Sequence, residues 1–186
     1  MTSNPTMNAA LSFHEALAAP ECAPEISASA DVYGWLLGGW ELDVLFYLVD
    51  LSGQGLKGEA HFARTLEGRA VQDVWMMPRR SERSGAPDKT RNMYGTTLRI
   101  WDPVLGAWRI TWLDPVTGRR DELVGRWDGK DISQVGTQTD GTPIRWLFTE
   151  IMPDSFLWTG EVLQPDGKSW TLQGKFRARR ISGLTR

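Results

Sequence analysis

From Trp40 onward, short runs of β-branched and aromatic residues alternate with turn signals, and no helical period is present. The motif Asp-Pro-Val-x-Gly occurs twice, at 102–106 and at 114–118. Proline presets the turn and glycine supplies the positive φ, so the run between the two copies, AWRITWL, is predicted to form one strand of a meander. A period of two over such runs is typical of strands with one buried face.

Division of the sequence at its turn signals produces ten candidate strands. They span roughly 40–50, 57–66, 69–77, 92–102, 107–113, 120–127, 131–138, 143–151, 155–163 and 169–179. Nearly every connection is short enough for a hairpin, and the exception is the charged loop 78–91. Strands joined in sequence order without crossover helices predict an all-β fold with an up-and-down antiparallel sheet. Because closure removes the exposed edges, we predict a β-barrel of about ten strands.

The alternation also predicts which side chains face the barrel interior. The predicted inward rows are Trp40, Leu42, Val44, Phe46 and Leu48 in the first strand, Tyr94, Thr96, Leu98 and Ile100 in the fourth, Trp108, Ile110 and Trp112 in the fifth, Ile144, Trp146 and Phe148 in the eighth, Phe156, Trp158 and Val162 in the ninth, and Trp170, Leu172 and Phe176 in the tenth. The predicted outward side carries Arg99, Arg109, Arg145, Lys175 and Arg177.

The N-terminal part of the chain differs in composition from the rest. Residues 1–28, rich in Ala, Ser and Pro, are expected to form a loosely ordered arm with a short helix near 7–19. Residues 29–186 are predicted to form a single barrel domain. The stretch SADVYGWLLGG at 29–39 predicts a two-turn helix that ends at Gly38-Gly39 and closes one end of the barrel.

Charge and cysteine content limit the partners. The 21 Lys and Arg nearly balance the 23 Asp and Glu, so the chain lacks the single-sign field that recruits nucleic acid or anionic lipid. We therefore expect neither nucleic acid nor a membrane as a partner. Cys22 is the only cysteine, which excludes an intrachain disulfide and fits a reducing compartment. With no signal peptide or long apolar run recognised, a cytoplasmic location is expected.

Tryptophan is unusually frequent. The chain has ten Trp, where a chain of this length would carry about two or three. Such flat rings fill volume and offer walls to ligands.

The stretch Gly38-Gly39-Trp40, followed by the meander, resembles the Gly-x-Trp that opens the first strand of calycins, the superfamily of lipocalins and fatty-acid-binding proteins. The stretches GEAHFARTLEGRAVQDVWMMP and DGTPIRWLFTEIMPDSFLW resemble uncharacterised bacterial lipocalin-like proteins. The resemblance covers about 29–180. It implies a ligand-binding barrel in which Trp40 closes one end and is crossed by an arginine of the last strand, for which Arg177 and Arg179 are the candidates.

The same superfamily includes the nitrobindins, which bind haem through a histidine late in the chain. Here no histidine follows His61, so the resemblance does not extend to haem. Only two histidines are present, and no phosphate-binding loop, dinucleotide fingerprint or nucleophile elbow is found. We therefore predict no cofactor and no metal.

A barrel of this size encloses either a packed core or one ligand cavity, so inward polar and aromatic side chains are the candidate ligand contacts. The candidates are His61, Arg64, Asp73, Trp75, Tyr94, Trp112, Trp146 and Glu150. Tyr94 heads a predicted inward row, and Glu150 follows the apolar face of the eighth strand. Either His61 or its neighbour Phe62 faces the interior.

Asp73 has two interpretations. It faces inward together with Val71, Trp75 and Met77, or outward while Gln72, Val74 and Met76 face in. Burial of an inward carboxylate raises its pKa, which suits a general acid or a ligand anchor. An inward Arg64 facing Asp73 across the hairpin would hold a carboxylate ligand; alternatively the two satisfy each other or lie on the surface.

Three functions fit these observations. The first is a barrel that binds a small apolar or aromatic molecule in a Trp-lined lumen. The second is a cofactor-independent isomerase, cyclase or hydratase that uses the same cavity, with Asp73 or His61 as acid or base and Tyr94 or Arg64 orienting the substrate. The third is a packed barrel that acts through self-association, for example as a homodimer, using exposed rings such as Trp101.

Overall fold

The structure, a computed structural model, describes residues 12–83 and 92–181. A short helix spans 12–17, and a 3₁₀ turn spans Gly34–Leu36. The strands that follow are β1 (Gly38–Tyr47), β2 (Val49–Asp50), β3 (Lys57–Thr65), β4 (Ala70–Met77), β5 (Met93–Asp102), β6 (Ala107–Asp114), β7 (Arg119–Trp127), β8 (Ile132–Gln138), β9 (Pro143–Met152), β10 (Ser155–Leu163) and β11 (Trp170–Arg180). A second 3₁₀ turn, Arg80–Glu82, precedes β5.

The strands form one closed antiparallel barrel. From β3 to β11 each strand pairs with the next in the chain, β1 pairs with β3, and β11 returns to pair with β1. The two-residue β2 pairs only with the last residues of β1, so ten strands close the barrel. The predicted ten-stranded up-and-down barrel is therefore confirmed. No helix among the described residues is long and apolar enough to cross a membrane.

The inward row of β1 changes phase at a bulge. Trp40, Leu42 and Val44 are buried as predicted, but the register with β11 shifts between Val44 and Phe46. Phe46 then stands opposite outward Lys175, and Tyr47 stands opposite Gly174. The predicted inward position of Phe46 is therefore wrong, because the extra residue of a bulge moves the following side chain to the other face. Leu48 lies beyond the end of β1 and is exposed.

The predicted orientation of β5 is also wrong. The buried row of β5 contains Arg99 and Thr97, whereas Tyr94 and Ile100 are exposed. Directly paired residues share a face, and the inward Asp73 and Trp75 of β4 stand opposite Thr97 and Gly95. Once β4 points Asp73 into the barrel, β5 has to point Arg99 in as well.

A second bulge changes the phase at the start of β11. Gly160 pairs with Gly174 and Glu161 pairs with Leu172, which leaves Gln173 as the extra residue. Trp170 consequently lies on the outer side, where the Arg145 guanidinium is 4.4 Å from the centre of its ring. The predicted inward positions of Trp170 and Leu172 are wrong for this reason, while Phe176 is buried as predicted.

The end of the barrel near the start of β1 is filled by residues 30–37. This segment forms turns and a single 3₁₀ turn rather than the predicted two-turn helix. Tyr33 is fully buried, with its ring 5.3 Å from that of Trp108, and the Trp35 ring lies 5.5 Å from that of Phe156. Residues two apart lie on different faces of an α-helix, so a helix could not direct both rings into the barrel.

Trp40 closes this end and is crossed by Arg180. The guanidinium carbon of Arg180 lies 4.1 Å from the centre of the Trp40 ring, and its nitrogens donate at 2.8 Å to the carbonyls of Trp35 and Leu37. Arg180 is paired directly with Trp40 in the register. The expected crossing by Arg177 or Arg179 is therefore wrong, since those residues pair with Asp43 and Glu41.

The described part of the N-terminal arm packs on the hairpin of β3 and β4. Ala18 forms a bridge with Thr65, and the amide of Ala19 donates to the carbonyl of Arg64 at 3.0 Å. The helix at 12–17 lies within the predicted range 7–19, of which residues 7–11 lie outside the described residues. The predicted loop 78–91 is described only as far as residue 83.

Candidate ligand-binding cavity

A cavity of about 230 Å³ lies inside the barrel, toward the end opposite Trp40. Five strands, β4, β6, β9, β10 and β11, supply one aromatic side chain each to its lining. These are Trp75, Trp112, Trp146, Trp158 and Phe176. Its polar lining consists of Tyr47, Thr97, Arg99, Asp114, Thr117, Arg119 and Gln173. Exposed Leu48 and Thr117 also contact the cavity, so this end is its mouth.

The four tryptophans form a continuous partial ring. Ring centres are 6.2 Å apart between Trp112 and Trp146, 5.7 Å between Trp146 and Trp158, and 5.6 Å between Trp158 and Trp75. Between Trp75 and Trp112 the wall is β5, where a Cβ on Gly95 would lie 2.5 Å from the Trp112 ring. Glycine at this position therefore allows the Trp112 indole to approach the strand closely.

Seven of the ten indole N–H groups fall into two sets, one at the closed end and one around the cavity. At the closed end, Trp35, Trp40 and Trp108 donate to the carbonyls of Val32, Leu36 and Ala30. Across residues 12–83 and 92–181, no hydrogen bond is formed by the indole N–H of the second set, which is Trp75, Trp112, Trp146 and Trp158. None of these four nitrogens is among the fully enclosed unpaired atoms of the described residues. Within the described residues the four N–H groups of the second set are therefore unpaired and not fully enclosed, and their residues line the cavity.

Between the cavity tryptophans and the closed end of the barrel, Arg99 and Asp73 form a buried ion pair. Arg99 Nη1 donates to Asp73 Oδ2 at 2.5 Å, and the amide of Thr97 donates to Asp73 Oδ1 at 2.8 Å. The guanidinium carbon also lies 5.1 Å from the centre of the Tyr33 ring. Burial raises the pKa of Tyr33 far above its usual value, so its hydroxyl stays protonated. This layer separates the cavity from the closed end.

The mouth carries a second polar group of side chains. Arg119 Nε donates to Asp121 Oδ1 at 2.9 Å, and Arg119 Nη2 forms an ion-pair contact with Asp121 Oδ2 at 2.7 Å. Burial raises the pKa of Asp121 despite the hydrogen bond and the charge of Arg119. Asp114 Oδ1 accepts from the amides of Val116 and Thr117. Burial, and next the charge of Asp114, raise the pKa of Tyr47.

Three of the eight predicted ligand contacts line the cavity: Trp75, Trp112 and Trp146. Asp73 faces inward, as one of its two interpretations predicted, but Arg99 and Thr97 cover it. Arg64 is buried at the closed end, where it pairs with Asp31 rather than with Asp73. Arg64 stands opposite Val71 in the register, and Phe62 takes the place opposite Asp73.

The other three predicted contacts lie on the outside. His61 Nε2 is 3.0 Å from Glu59 Oε2 and 3.2 Å from Arg80 Nη2, because Phe62 is the inward residue of that pair. Tyr94 is exposed and lies under the Arg83 guanidinium. Glu150 has a positive φ of 50° and accepts from Arg177 at 2.8 Å. His61 and Tyr94 lie on the outward faces of their strands, and Glu150 lies at the irregular pairing of β9 with β10.

The polar residues of the cavity were not found by the sequence analysis. Arg99 was assigned to the outer side, although the pairing of an inward Asp73 with β5 would have indicated it. Asp114 is the first residue of the second Asp-Pro-Val-x-Gly turn, and Arg119 follows that turn. A turn motif by itself does not indicate that its residues line a cavity. Tyr47 becomes inward only through the bulge in β1. In the described part of the chain, no group of three or more His, Cys, Asp and Glu side chains is placed to hold a metal ion.

The architecture and the cavity together define an up-and-down closed barrel with an aromatic interior site. No model of a known protein family matches the chain, and comparison with curated proteins finds no match either. The chemistry of the cavity therefore has to be derived from its own residues.

Proposed function

We propose that this protein is a calycin-type barrel that binds a small, flat aromatic or apolar molecule in its cavity. The observation that carries the proposal is the partial ring of Trp75, Trp112, Trp146 and Trp158 around a space of about 230 Å³. Aromatic walls bind flat rings through stacking and edge-to-face contacts, in addition to the gain from burying apolar surface. A core that needed only to be filled would leave no such space.

The size of the cavity limits the ligand. A cavity of about 150 Å³ is enough to hold benzene in an apolar protein interior, whereas pockets for drug-sized molecules reach about 300–1,000 Å³. A space of about 230 Å³ therefore suits one or two fused rings with small substituents. Long-chain fatty acids and retinoids are too large to be enclosed.

Binding is preferred to catalysis because the residues considered as acid or base do not reach the cavity. His61 lies on the outer side against Glu59 and Arg80. Asp73 is fully buried and accepts hydrogen bonds from Arg99 and Thr97. Neither group has an open path to a substrate held among the tryptophans.

Isothermal titration calorimetry with naphthalene and indole tests the proposal. We expect saturable binding of one molecule per chain. Thr97→Phe should abolish it, because Thr97 lines the cavity and a phenyl ring there would occupy the space. Thr111→Phe is the matched control, since Thr111 lies on the outer side of the neighbouring strand beside Glu122, and it should bind as the wild type does. Absence of binding by either probe, or equal loss in both variants, would overturn the proposal.

A further inference from the structure

We infer that the cavity selects an uncharged aromatic ligand that carries hydrogen-bond acceptors, such as an aryl ketone, aryl aldehyde or quinone, and discriminates against aromatic carboxylates. This inference rests on the proposed function, because it specifies the ligand of the same cavity. It follows from two properties of the lining. Several hydrogen-bond donors have no acceptor, and the arginines are already paired with carboxylates.

The unused groups are donors on the cavity wall. Trp112 and Trp146 lack an acceptor among the described residues, and so do Trp75 and Trp158. The backbone amide of Thr97 donates to Asp73, but the Thr97 hydroxyl forms no hydrogen bond within the described chain and is not fully enclosed. An apolar ligand would leave these donors without acceptors and without water, which costs free energy. A ligand oxygen among them removes that cost.

Both arginines of the lining already have a carboxylate partner. Arg99 is paired with Asp73 and Arg119 with Asp121, both within 2.7 Å. Arg99 Nε has no partner in the described residues, but it is fully enclosed and does not reach the cavity. Asp114 lines the mouth, and no cation of the described chain forms an ion pair with it. A bound carboxylate would therefore be desolvated beside a net negative charge.

The experiment compares three probes by calorimetry at pH 8: naphthalene, which has the ring system alone, and the nearly isosteric 2-acetonaphthone and 2-naphthoate. We expect 2-acetonaphthone to bind about 3- to 10-fold more tightly than naphthalene, which corresponds to one net hydrogen bond. We expect 2-naphthoate to bind at least 10-fold more weakly than 2-acetonaphthone. Naphthoate binding as tight as that of the ketone would overturn the inference and leave the proposed function standing.

Single substitutions in the cavity lining identify the side chain that donates the hydrogen bond to the ketone. The side chains are changed one at a time to Phe at Trp75, Trp112, Trp146 and Trp158, and to Val at Thr97. The ratio of the two affinities, ketone over naphthalene, is the readout, because loss of ring volume affects both probes alike. We expect this ratio to fall about 3- to 10-fold in at least one variant. Trp170→Phe is the control, since Trp170 lies outside the barrel under Arg145, and it should leave the ratio unchanged.

The outcomes separate the two proposals. If none of the three probes binds, the proposed function fails and this inference fails with it. If all three bind with equal affinity, the cavity binds aromatic molecules but does not discriminate between ligands with and without a hydrogen-bond acceptor. Only this inference is then overturned. An unchanged ratio in all five cavity variants would also overturn it, because no wall donor would then contact the ketone.

Discussion

Arg99 and Asp73 form an ion pair inside the barrel, with Nη1 and Oδ2 2.5 Å apart and both side chains at most 2% exposed. The pair links β4 to β5 on the inner face of the barrel. It also forms the layer between the tryptophan-lined cavity and the closed end. Its two partners are therefore central to both the fold and the site.

Asp73→Asn should lower the free energy of unfolding by about 3–5 kcal/mol, because Arg99 would keep its charge in the interior without a counterion. Urea unfolding followed by tryptophan fluorescence measures the change. Glu122→Gln is the control: Glu122 pairs with Arg120 on the exposed surface, and such pairs contribute at most about 1 kcal/mol. A loss for Asp73→Asn no larger than the control would contradict the prediction. The double variant Asp73→Leu with Arg99→Leu should recover part of the stability, since it leaves no charge unpaired.

Arg180→Ala should lower the free energy of unfolding by about 2–4 kcal/mol, since it removes a cation–π contact and leaves two carbonyls of the closed end without their donor. Arg180→Lys should restore little, because an ammonium cannot contact the Trp40 ring and both carbonyls with one planar group. Thermal unfolding measures both variants. Arg179→Ala serves as comparison, as the Arg179 side chain is 63% exposed, and a similar loss there would rule out a special role for Arg180.

Gly125→Ala should destabilise the barrel by about 1–3 kcal/mol through overpacking. A Cβ at Gly125 would lie 2.2 Å from the Tyr33 hydroxyl and 2.8 Å from Ile110 Cδ1, so it would push Tyr33 out of the closed end. The midpoint of urea unfolding measures the effect. At Gly53 nothing lies within 4 Å of the corresponding position, so Gly53→Ala should be close to neutral. Equal midpoints for the two variants would show that Tyr33 is not held as described.

Stability at acid pH should depend on Glu59. Desolvation opposes ionisation of this carboxylate, but hydrogen bonds from Arg80 and His61 outweigh it and lower its pKa from 4.5 to about 2. A carboxylate with a lowered pKa contributes stability that is fully present above its unfolded pKa of about 4.3. That contribution is lost as the pH falls toward 2.

Glu59→Gln should therefore flatten the decline of the free energy of unfolding between pH 4.5 and 2, as measured by urea titrations across that range. The control is Glu67→Gln, because the Glu67 side chain is 85% exposed. It should keep the slope of the wild type. A Glu59 variant with the same slope as the wild type would show that the cluster of Glu59, His61 and Arg80 does not hold the carboxylate ionised.

Much of the fold was predictable because its determinants are local. The turns with Asp-Pro-Val-x-Gly and the short hairpins divide the chain correctly, and all ten predicted strands exist within a few residues of their predicted ends. Trp108, Ile110 and Trp112 lie in a strand without a bulge, so their alternation alone predicted that they are buried. The same alternation predicted the inward positions of Trp146 and Trp158, which line the cavity together with Trp112.

The polar part of the site was not predictable in the same manner. In β5, Thr and apolar residues occur on both faces, so the pattern of that strand alone does not say that Arg99 is the buried residue. Its two neighbours make that choice, because Arg99 pairs with the buried Val71 of β4 and with the buried Ile110 of β6. Likewise, Tyr47 and Gln173 reach the cavity because a bulge shifts the pairing of β1 with β11 and of β10 with β11.

By itself, the sequence determined the number and order of the strands, the turns between them and the presence of a tryptophan-rich interior, because each of these depends on residues close together in the chain. The tertiary structure alone decided which charges are enclosed, which arginine crosses Trp40 and which indole N–H groups remain without a partner. Those features depend on side chains that meet across the barrel. A single-residue shift in pairing reverses the face that every following side chain occupies.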